Sequence, residues 1–366
     1  MPALRMSGAP FATGDNMPDE PQQNTAHLDF LRSHNPPRLH LAQLPTPLQY
    51  LSRLSERFNG PKIWVKRDDL SGSVLSGNKI RKLEFNLAQA LTEGCDTVIT
   101  CGGLQSNHCR ATALLCAQLG LKCHLLLRGE QAASADGNLL LDQLAGAEIS
   151  YYSAAQFQRE LNALLIACQQ SYAVAGNKAF IIPTGASDAI GVWGYVQACA
   201  ELKQDFARSG IDPKHIICAT GSGGTQAGLT AGVSAYGIDA QVWGVNVCDD
   251  EAWFVNKVNK DLRDWEDRYQ TGINLDSLSV KVIDGYVGPG YAQADAEIFK
   301  CIADVAATEG LVLDPVYTGK AFYGMLDQLQ QGRFGTTGDI VFMHTGGVYG
   351  LFPQRGHFEF LNKPSA

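Results

Sequence analysis

From Leu39 onward, short apolar runs alternate with stretches whose apolar positions recur at helical spacing. The first kind reads as buried strand and the second as amphipathic helix. Lys62 to Lys66 is predicted as a strand, and Leu83, Leu87 and Leu91 share the face of a helix that begins near Arg81 and stops at Gly94. Strands follow at Thr97 to Cys101, Lys122 to Leu127, Glu148 to Tyr152, Ala179 to Ile182, Ile216 to Ala219, Gln241 to Val247 and Asp339 to His344. Helices are expected at Asn107 to Leu119, Asn138 to Leu144, Ala154 to Gln170, Ala189 to Ala207, Thr225 to Tyr236, Ala292 to Thr308 and Gly319 to Gln330. Leu44-Pro45-Thr46-Pro47-Leu48 reads as an extended, proline-fixed entry to a helix at Tyr50 to Phe58. The polar stretch 249–277 resists assignment beyond a helix with an excursion. Strand-helix units joined by short turns imply an α/β fold of parallel sheets covered by helices on both faces.

The bulk properties narrow the class. With 366 residues, 45% hydrophobic and 18% charged, the chain suits a globular protein with ample core. A formal net charge of -8 argues against a nucleic-acid partner. The ten cysteines are scattered without a CxxC pair, so no metal site is expected. They read as small buried hydrophobes in a reducing compartment. No signal sequence and no membrane-length apolar run is evident, which makes the cytoplasm the expected location and excludes a membrane partner. Residues 1–37, rich in Pro, Gly, Asn and Gln, read as a flexible extension with a short helix near Leu28 to Arg32.

Four polar stretches interrupt the pattern where strands end, which is where open parallel sheets bind ligands. In Ser76-Gly77-Asn78-Lys79-Ile80-Arg81, a lysine stands at a turn into a helix beside small residues. Lysine is the side chain that joins carbonyl cofactors. Thr220-Gly221-Ser222-Gly223-Gly224-Thr225-Gln226 follows a buried strand and opens a helix, so its N–H groups and hydroxyls converge on an anion such as a monophosphate. The dinucleotide fingerprint fails there, because Gln226 stands where its last glycine belongs. Gly102-Gly103-Leu104-Gln105-Ser106-Asn107-His108 offers an N-cap and a donor cluster suited to a carboxylate. Tyr291 and Tyr317 sit in Pro- and Gly-rich loops, and His344-Thr345-Gly346-Gly347 follows the last strand.

Together these motifs, in this order and spacing, resemble the D-cysteine desulfhydrase and 1-aminocyclopropane-1-carboxylate (ACC) deaminase family. These are pyridoxal 5'-phosphate (PLP) enzymes related in fold to the tryptophan synthase β chain. The resemblance runs from about Leu39 to about Phe352. It implies a fold type II arrangement: two open twisted, mostly parallel sheets, with PLP in the cleft between domains. Residues 38–82 plus 184–366 would form a large domain and 83–183 a small one. It also implies a homodimer.

By the same resemblance, Lys79 carries PLP and later moves protons at the substrate α-carbon. Gly221, Ser222, Gly223, Gly224 and Thr225 cradle the phosphate, and Asn107 and Asn78 bond the ring oxygen. Ser106, Asn107 and His108 hold the carboxylate of a small amino-acid substrate. Ser106, Tyr291 and Tyr317 are further catalytic candidates, and the tyrosines also contact substrate. Thr318 and Thr345 are expected near the cofactor. In the deaminases the residue after the second tyrosine is a glutamate beside the ring nitrogen; here it is Thr318. A neutral hydroxyl leaves a weaker electron sink, which suits β-elimination with a good leaving group better than opening the ACC ring. The expected reaction is α,β-elimination from D-cysteine to sulfide, pyruvate and ammonia. ACC deamination, sulfite elimination from cysteate, a non-catalytic PLP carrier and a Rossmann-like nucleotide-binding protein are the competing readings.

Overall fold

The structure is a computed structural model, and it describes residues 34, 36–72, 74–358 and 360. The expected helix near Leu28 to Arg32 and nearly all of the expected extension lie outside the described residues.

Among the described residues, ten strands form two sheets. The larger takes β1 (Leu48–Tyr50), β2 (Lys62–Lys66), β7 (His215–Thr220), β8 (Gln241–Asn246), β9 (Lys281–Ile283) and β10 (Asp339–Met343), in the order β1-β2-β10-β7-β8-β9. Only β1 runs antiparallel to its neighbour. The smaller sheet takes β3 (Thr97–Gly103), β4 (Lys122–Arg128), β5 (Glu148–Tyr152) and β6 (Ala179–Ile181), all parallel, in the order β5-β4-β3-β6. This is the two-sheet, mostly parallel fold class expected from the sequence.

Alternation along the strands places a core on each face. In β7, Ile216 and Cys218 join Trp193, Tyr195, Leu229 and Trp265 in one cluster, while Ile217 and Ala219 join Phe299, Phe322, Met325 and Phe342 in the other. In β4, Leu125 and Leu127 pack with Leu83, Leu87 and Leu115, and Leu126 packs with Ile99 and Leu165. Both faces of these strands are buried, so they read as apolar runs rather than as alternating sequences.

The helices that cover the sheets are α1 (Ser52–Phe58), α2 (Asn78–Thr92), α3 (Asn107–Leu119), α4 (Gly137–Leu144), α5 (Ala154–Val174), α6 (Ala189–Ser209), α7 (Gly224–Ala235), α8 (Glu251–Tyr269), α9 (Ala296–Glu309) and α10 (Thr318–Gln330). Several differ from expectation. Helix α2 starts at Asn78 rather than near Arg81, so Lys79 lies in its first turn. Tyr50 belongs to β1, and α1 begins only at Ser52. Helix α9 begins at Ala296, because Ala292 adopts a left-handed φ of 63° that no helix accommodates. The unassigned stretch holds α8, capped by the Asp250 carboxylate accepting from the Trp253 N–H at 2.8 Å, then a 3-10 turn at Leu275–Ser277. Among the described residues, no helix is long and apolar enough to cross a membrane, and no cluster of side chains could hold a metal ion.

A buried ionic network fixes the start of α2. Arg81 donates to Asp68 at 2.7 and 2.9 Å and to Glu201 at 3.0 Å. Tyr195 donates to the same Asp68 at 2.6 Å, and Lys66 joins Glu201 and Asp205. Burial alone raises the Asp68 carboxyl, but the Arg81 and Lys66 charges and the Tyr195 hydroxyl hold it below its ordinary value. Lys79 therefore sits on a turn anchored two residues away.

Candidate active site

The carboxyl ends of the parallel strands converge on one cleft of about 210 Å³. Gly102 and Gly103 come from β3, Arg128 from β4, Thr184 and Gly185 from the turn after β6, and 219–223 from the end of β7 and its loop. Cys248 and Asp249 follow β8, and Thr345 and Gly346 follow β10. Of the residues expected from the sequence, Asn78, Lys79, Ser106, Asn107, His108, Gly221, Ser222, Gly223, Thr225, Tyr291, Tyr317 and Thr345 line it.

Lys79 reaches the cleft floor through two glycines. Gly77, at φ +105°, packs against the Thr345 carbonyl so closely that a Cβ would collide with it. Asn78 N–H then donates to that carbonyl at 3.1 Å, tying the lysine turn to the last loop. Gly185, at φ +68°, lies under Lys79 Nζ, where a Cβ would stand 3.2 Å from the amine and closer still to Ser222 Oγ. Burial pushes the Lys79 ammonium from the ordinary 10.5 down to about 8, against a small opposing effect from Cys109. The amine thus carries an appreciable neutral fraction near neutral pH, as a nucleophile toward carbonyls requires.

An anion cup lies beside it. The first-turn N–H groups of α7 have no intrahelical acceptor, and Gly223, at φ +88°, turns the chain into that helix. Thr225 Oγ1 accepts from Asn78 Nδ2 at 2.8 Å, locking the lysine turn to the glycine loop. Ser187 is a hub: its Oγ lies 2.8 Å from Ser222 Oγ and accepts from Gly224 N–H at 3.1 Å and Lys82 Nζ at 3.2 Å. Gly224, expected to bond the cofactor, has its N–H committed to Ser187 and does not line the cleft. Gln226 fills the space that Gly244 leaves empty and donates to the Lys281 carbonyl at 2.8 Å, which explains a glutamine where a dinucleotide site needs glycine.

The N-terminus of α3 forms the second donor cluster. Ser106 caps the helix by accepting from Cys109 N–H at 3.2 Å, which leaves its own O–H to donate. Asn107 Oδ1 accepts from Arg110 at 3.2 Å and Asn138 at 3.0 Å, so its NH2 remains as a donor. His108 Nε2 pairs with Thr100 Oγ1 at 2.7 Å, and its buried Nδ1 has no partner among the described residues. Burial, with the Lys79 and Lys82 charges, holds this imidazole well below its ordinary value, so it stays neutral.

Tyr291 and Tyr317 share a hydroxyl contact of 2.5 Å. Burial raises both phenols, Tyr317 well above the ordinary range, so both remain protonated at neutral pH. Thr318 does not join them. Its Oγ1 donates to Asp314 Oδ1 at 2.7 Å and accepts from Asp314 N–H at 2.9 Å, and its side chain is buried away from the cleft lining. Of Thr318 and Thr345, it is Thr345 that lines the cleft. His344 holds that loop, donating to the Val312 carbonyl at 2.9 Å and accepting from Gly346 N–H at 3.2 Å.

Lys82, Arg128, Gly185 and Ser187 escaped the sequence reading. Gly185 and Ser187 have no local signature. Arg128 stood one residue past the expected end of its strand, where the rule about carboxyl ends would have flagged it.

A buried amine with an anion cup on one side and a donor cluster on the other fits a phosphorylated aldehyde. The family model described as "pyridoxal-phosphate dependent enzyme" matches residues 39–346. The chain belongs to this family. Its cofactor is PLP. A Thermotoga maritima protein provisionally named as a 1-aminocyclopropane-1-carboxylate deaminase is 44% identical over 319 residues, covering 87% of this chain and 98% of that one. A D-cysteine desulfhydrase of Klebsiella pneumoniae is 38% identical over 328 residues, covering 88% and 97%. The crystal structure of an ACC deaminase homologue superposes with a TM-score of 0.83 at 34% identity, covering 92% and 99%.

Proposed function

We propose that this PLP enzyme is a lyase that converts D-cysteine and water to sulfide, pyruvate and ammonium. The observation that carries the reading is the Lys79 amine, buried and lowered to about 8, between the α7 anion cup and the α3 donor cluster. PLP, when bound, supplies the carbonyl for the substrate amine and an electron sink for the α-carbon.

The chain's own groups divide the remaining work. Gly221, Ser222, Gly223 and the Thr225 end of α7 bind the phosphate, with Lys82 acting through Ser187. The Asn107 NH2 donates to the ring oxygen, and Asn78 orients Thr225. Ser106 O–H, the Asn107 amide and the α3 N-terminus bind the substrate carboxylate, and His108 lines that side as a neutral ring. Lys79 takes the α-proton. The two phenols, protonated at neutral pH, act as donors toward the departing sulfur. Thr345, which lines the cleft, would offer the cofactor ring a neutral hydroxyl.

The competing substrate, ACC, has no α-proton for Lys79 to remove. Thr318 brings no acid to the cleft, since its hydroxyl is bonded to Asp314. These features favour elimination. A sulfide and pyruvate assay with D-cysteine, run beside a 2-oxobutanoate assay with ACC, tests the choice: 2-oxobutanoate without sulfide would reverse it.

The proposal includes the expected small lobe of 83–183. Its support is that β3 to β6 make a sheet of their own. It also includes a homodimer in the cytoplasm, which the family resemblance supports and light scattering on the purified protein tests for assembly.

A further inference from the structure

Lys320 is a buried cation that serves a loop. It stands in the first turn of α10, one turn past Tyr317, and is fully buried. Its Nζ donates to the Val287 carbonyl at 2.6 Å and to the Gly290 carbonyl at 2.9 Å. Among the described residues it makes no ion pair. Burial lowers its ammonium below the ordinary 10.5, and the Cys248, Asp295 and Asp314 charges oppose that shift. A buried ammonium is costly unless its donors are satisfied, and here two main-chain oxygens of one loop satisfy them.

That loop follows β9 and carries Tyr291. Gly288 and Pro289 at its tip are exposed, and Gly288, Gly290 and Ala292 adopt positive φ values of 65°, 145° and 63°. Among the described residues, the backbone of 287–292 has a single backbone partner, the Gln293 N–H that donates to the Gly290 carbonyl at 3.2 Å. Upstream, Tyr286 is tied to the far end of α10: its hydroxyl donates to Asp327 at 2.5 Å and accepts from Gln328 at 2.7 Å. Tyr317 is braced separately, because the Asp314 carboxylate accepts from the Val316, Tyr317 and Thr318 N–H groups at 2.9, 3.0 and 2.8 Å. Lys320 is thus the link between the main chain around Tyr291 and the helix that presents Tyr317. The two hydroxyls meet at 2.5 Å.

We propose that Lys320 is a positioning residue: by clamping the Val287 and Gly290 carbonyls it sets the Tyr291 hydroxyl against that of Tyr317, and its loss acts on turnover through Tyr291 rather than through the cofactor. Lys320 does not line the cleft, and its bonds go to the loop rather than to Lys79, the α7 cup or the α3 cluster. PLP uptake therefore does not depend on it. The consequence for turnover rests on the lyase reading, in which both phenols donate toward the departing sulfur. The clamp itself does not.

Lys320→Met removes the donors and keeps most of the stem. Crystal structures of the wild-type and Lys320→Met holoenzymes read the clamp: the variant should lose the Tyr291–Tyr317 hydroxyl contact while Lys79 and the α7 loop keep their places. Kinetics read the consequence. A misplacement of about 1 Å can cost about a hundredfold, so Lys320→Met should lower kcat for sulfide release from D-cysteine by about tenfold to a hundredfold. PLP affinity, from fluorescence titration, should stay within about twofold of wild type. In a Tyr291→Phe background the same substitution should change kcat by less than about twofold, because the hydroxyl it positions is already gone. Lys320→Gln keeps one donor group and should fall between; it carries the same comparisons if the methionine variant does not fold. A hydroxyl contact that survives in the variant crystal overturns the proposal. So do penalties that multiply in the double variant, or a loss of kcat that tracks a loss of PLP. If wild type releases no sulfide from D-cysteine, the lyase reading alone fails, and the crystal comparison still decides the clamp.

Discussion

Replacing Lys79 with methionine removes the amine but keeps most of the stem, and the cofactor-free protein should gain stability. Burial lowers the Lys79 ammonium from 10.5 to about 8, so the folded state holds this proton less tightly than the unfolded chain does. At about 1.36 kcal/mol per tenfold in proton affinity, the penalty below pH 8 is about 3.4 kcal/mol. The unfolded chain binds the extra proton between about pH 8 and 10.5, so wild-type stability rises with pH across that window and is flat below it. Lys79→Met has no such group. Urea denaturation of both cofactor-free proteins should show the variant ahead by about 3 kcal/mol at pH 7 and by less than about 1 kcal/mol at pH 10. Groups that do not face Lys79 are common to both proteins and cancel; Lys82, whose ammonium is held down by burial and by the Lys79 charge, is relieved in the variant and widens the gap at pH 7 in the same direction. Any packing gain from methionine is constant with pH, so the narrowing of the gap is the decisive quantity. A gap that does not change between pH 7 and pH 10 would refute a depressed amine and, with it, the case for Lys79 as a ready nucleophile.

Gly185→Ala sets a methyl group against Lys79 Nζ and Ser222 Oγ at a left-handed backbone position. It should cost about 1–2 kcal/mol in stability and weaken PLP uptake disproportionately, measured by melting and by cofactor titration. Asp68→Asn breaks a buried charge network and should cost about 3–5 kcal/mol at neutral pH. Because the native carboxyl is held below 3.8, that gap should shrink as pH falls below this value, and denaturation at pH 7 and pH 3 checks it. Thr318→Glu buries a second carboxylate against Asp314, so it should destabilise the protein by about 3 kcal/mol or more without conferring 2-oxobutanoate formation from ACC.

The sequence carried the fold well where its elements are long. The strands later seen as β3, β4, β7 and β8 are apolar runs buried on both faces, and α3 has a serine cap before it and Gly120 after it. Of the three-residue strands, β6 was expected from its apolar run but β1 and β9 were invisible. β1 lies among prolines, and β9 is only Lys281–Ile283 at a sheet edge. Helix α8 was legible in principle: Phe254, Val258, Leu262 and Trp265 recur at helical spacing and are all buried. Its many charged positions hid that stripe. Within the site, the glycine loop and the Ser106-Asn107 cap announced themselves because their chemistry is local. Thr318 misled for the opposite reason. Its position beside Tyr317 is local, but the direction of its hydroxyl is set by Asp314, a turn earlier. Arg128, Lys82 and Ser187 become meaningful only once distant strands and helices bring them to one cleft.

The account stands most directly on Lys79 as the attachment point of PLP in a β-eliminating enzyme. The measurement is the absorbance spectrum of the purified protein with PLP, for wild type and Lys79→Ala, followed by D-cysteine addition with sulfide and pyruvate assays on the same samples. The account predicts a yellow wild-type protein that releases sulfide and pyruvate in equal amounts, and a variant that shows neither the lysine-bound colour nor turnover. A wild-type protein that takes up no PLP, or a variant with the same spectrum and activity, would contradict it.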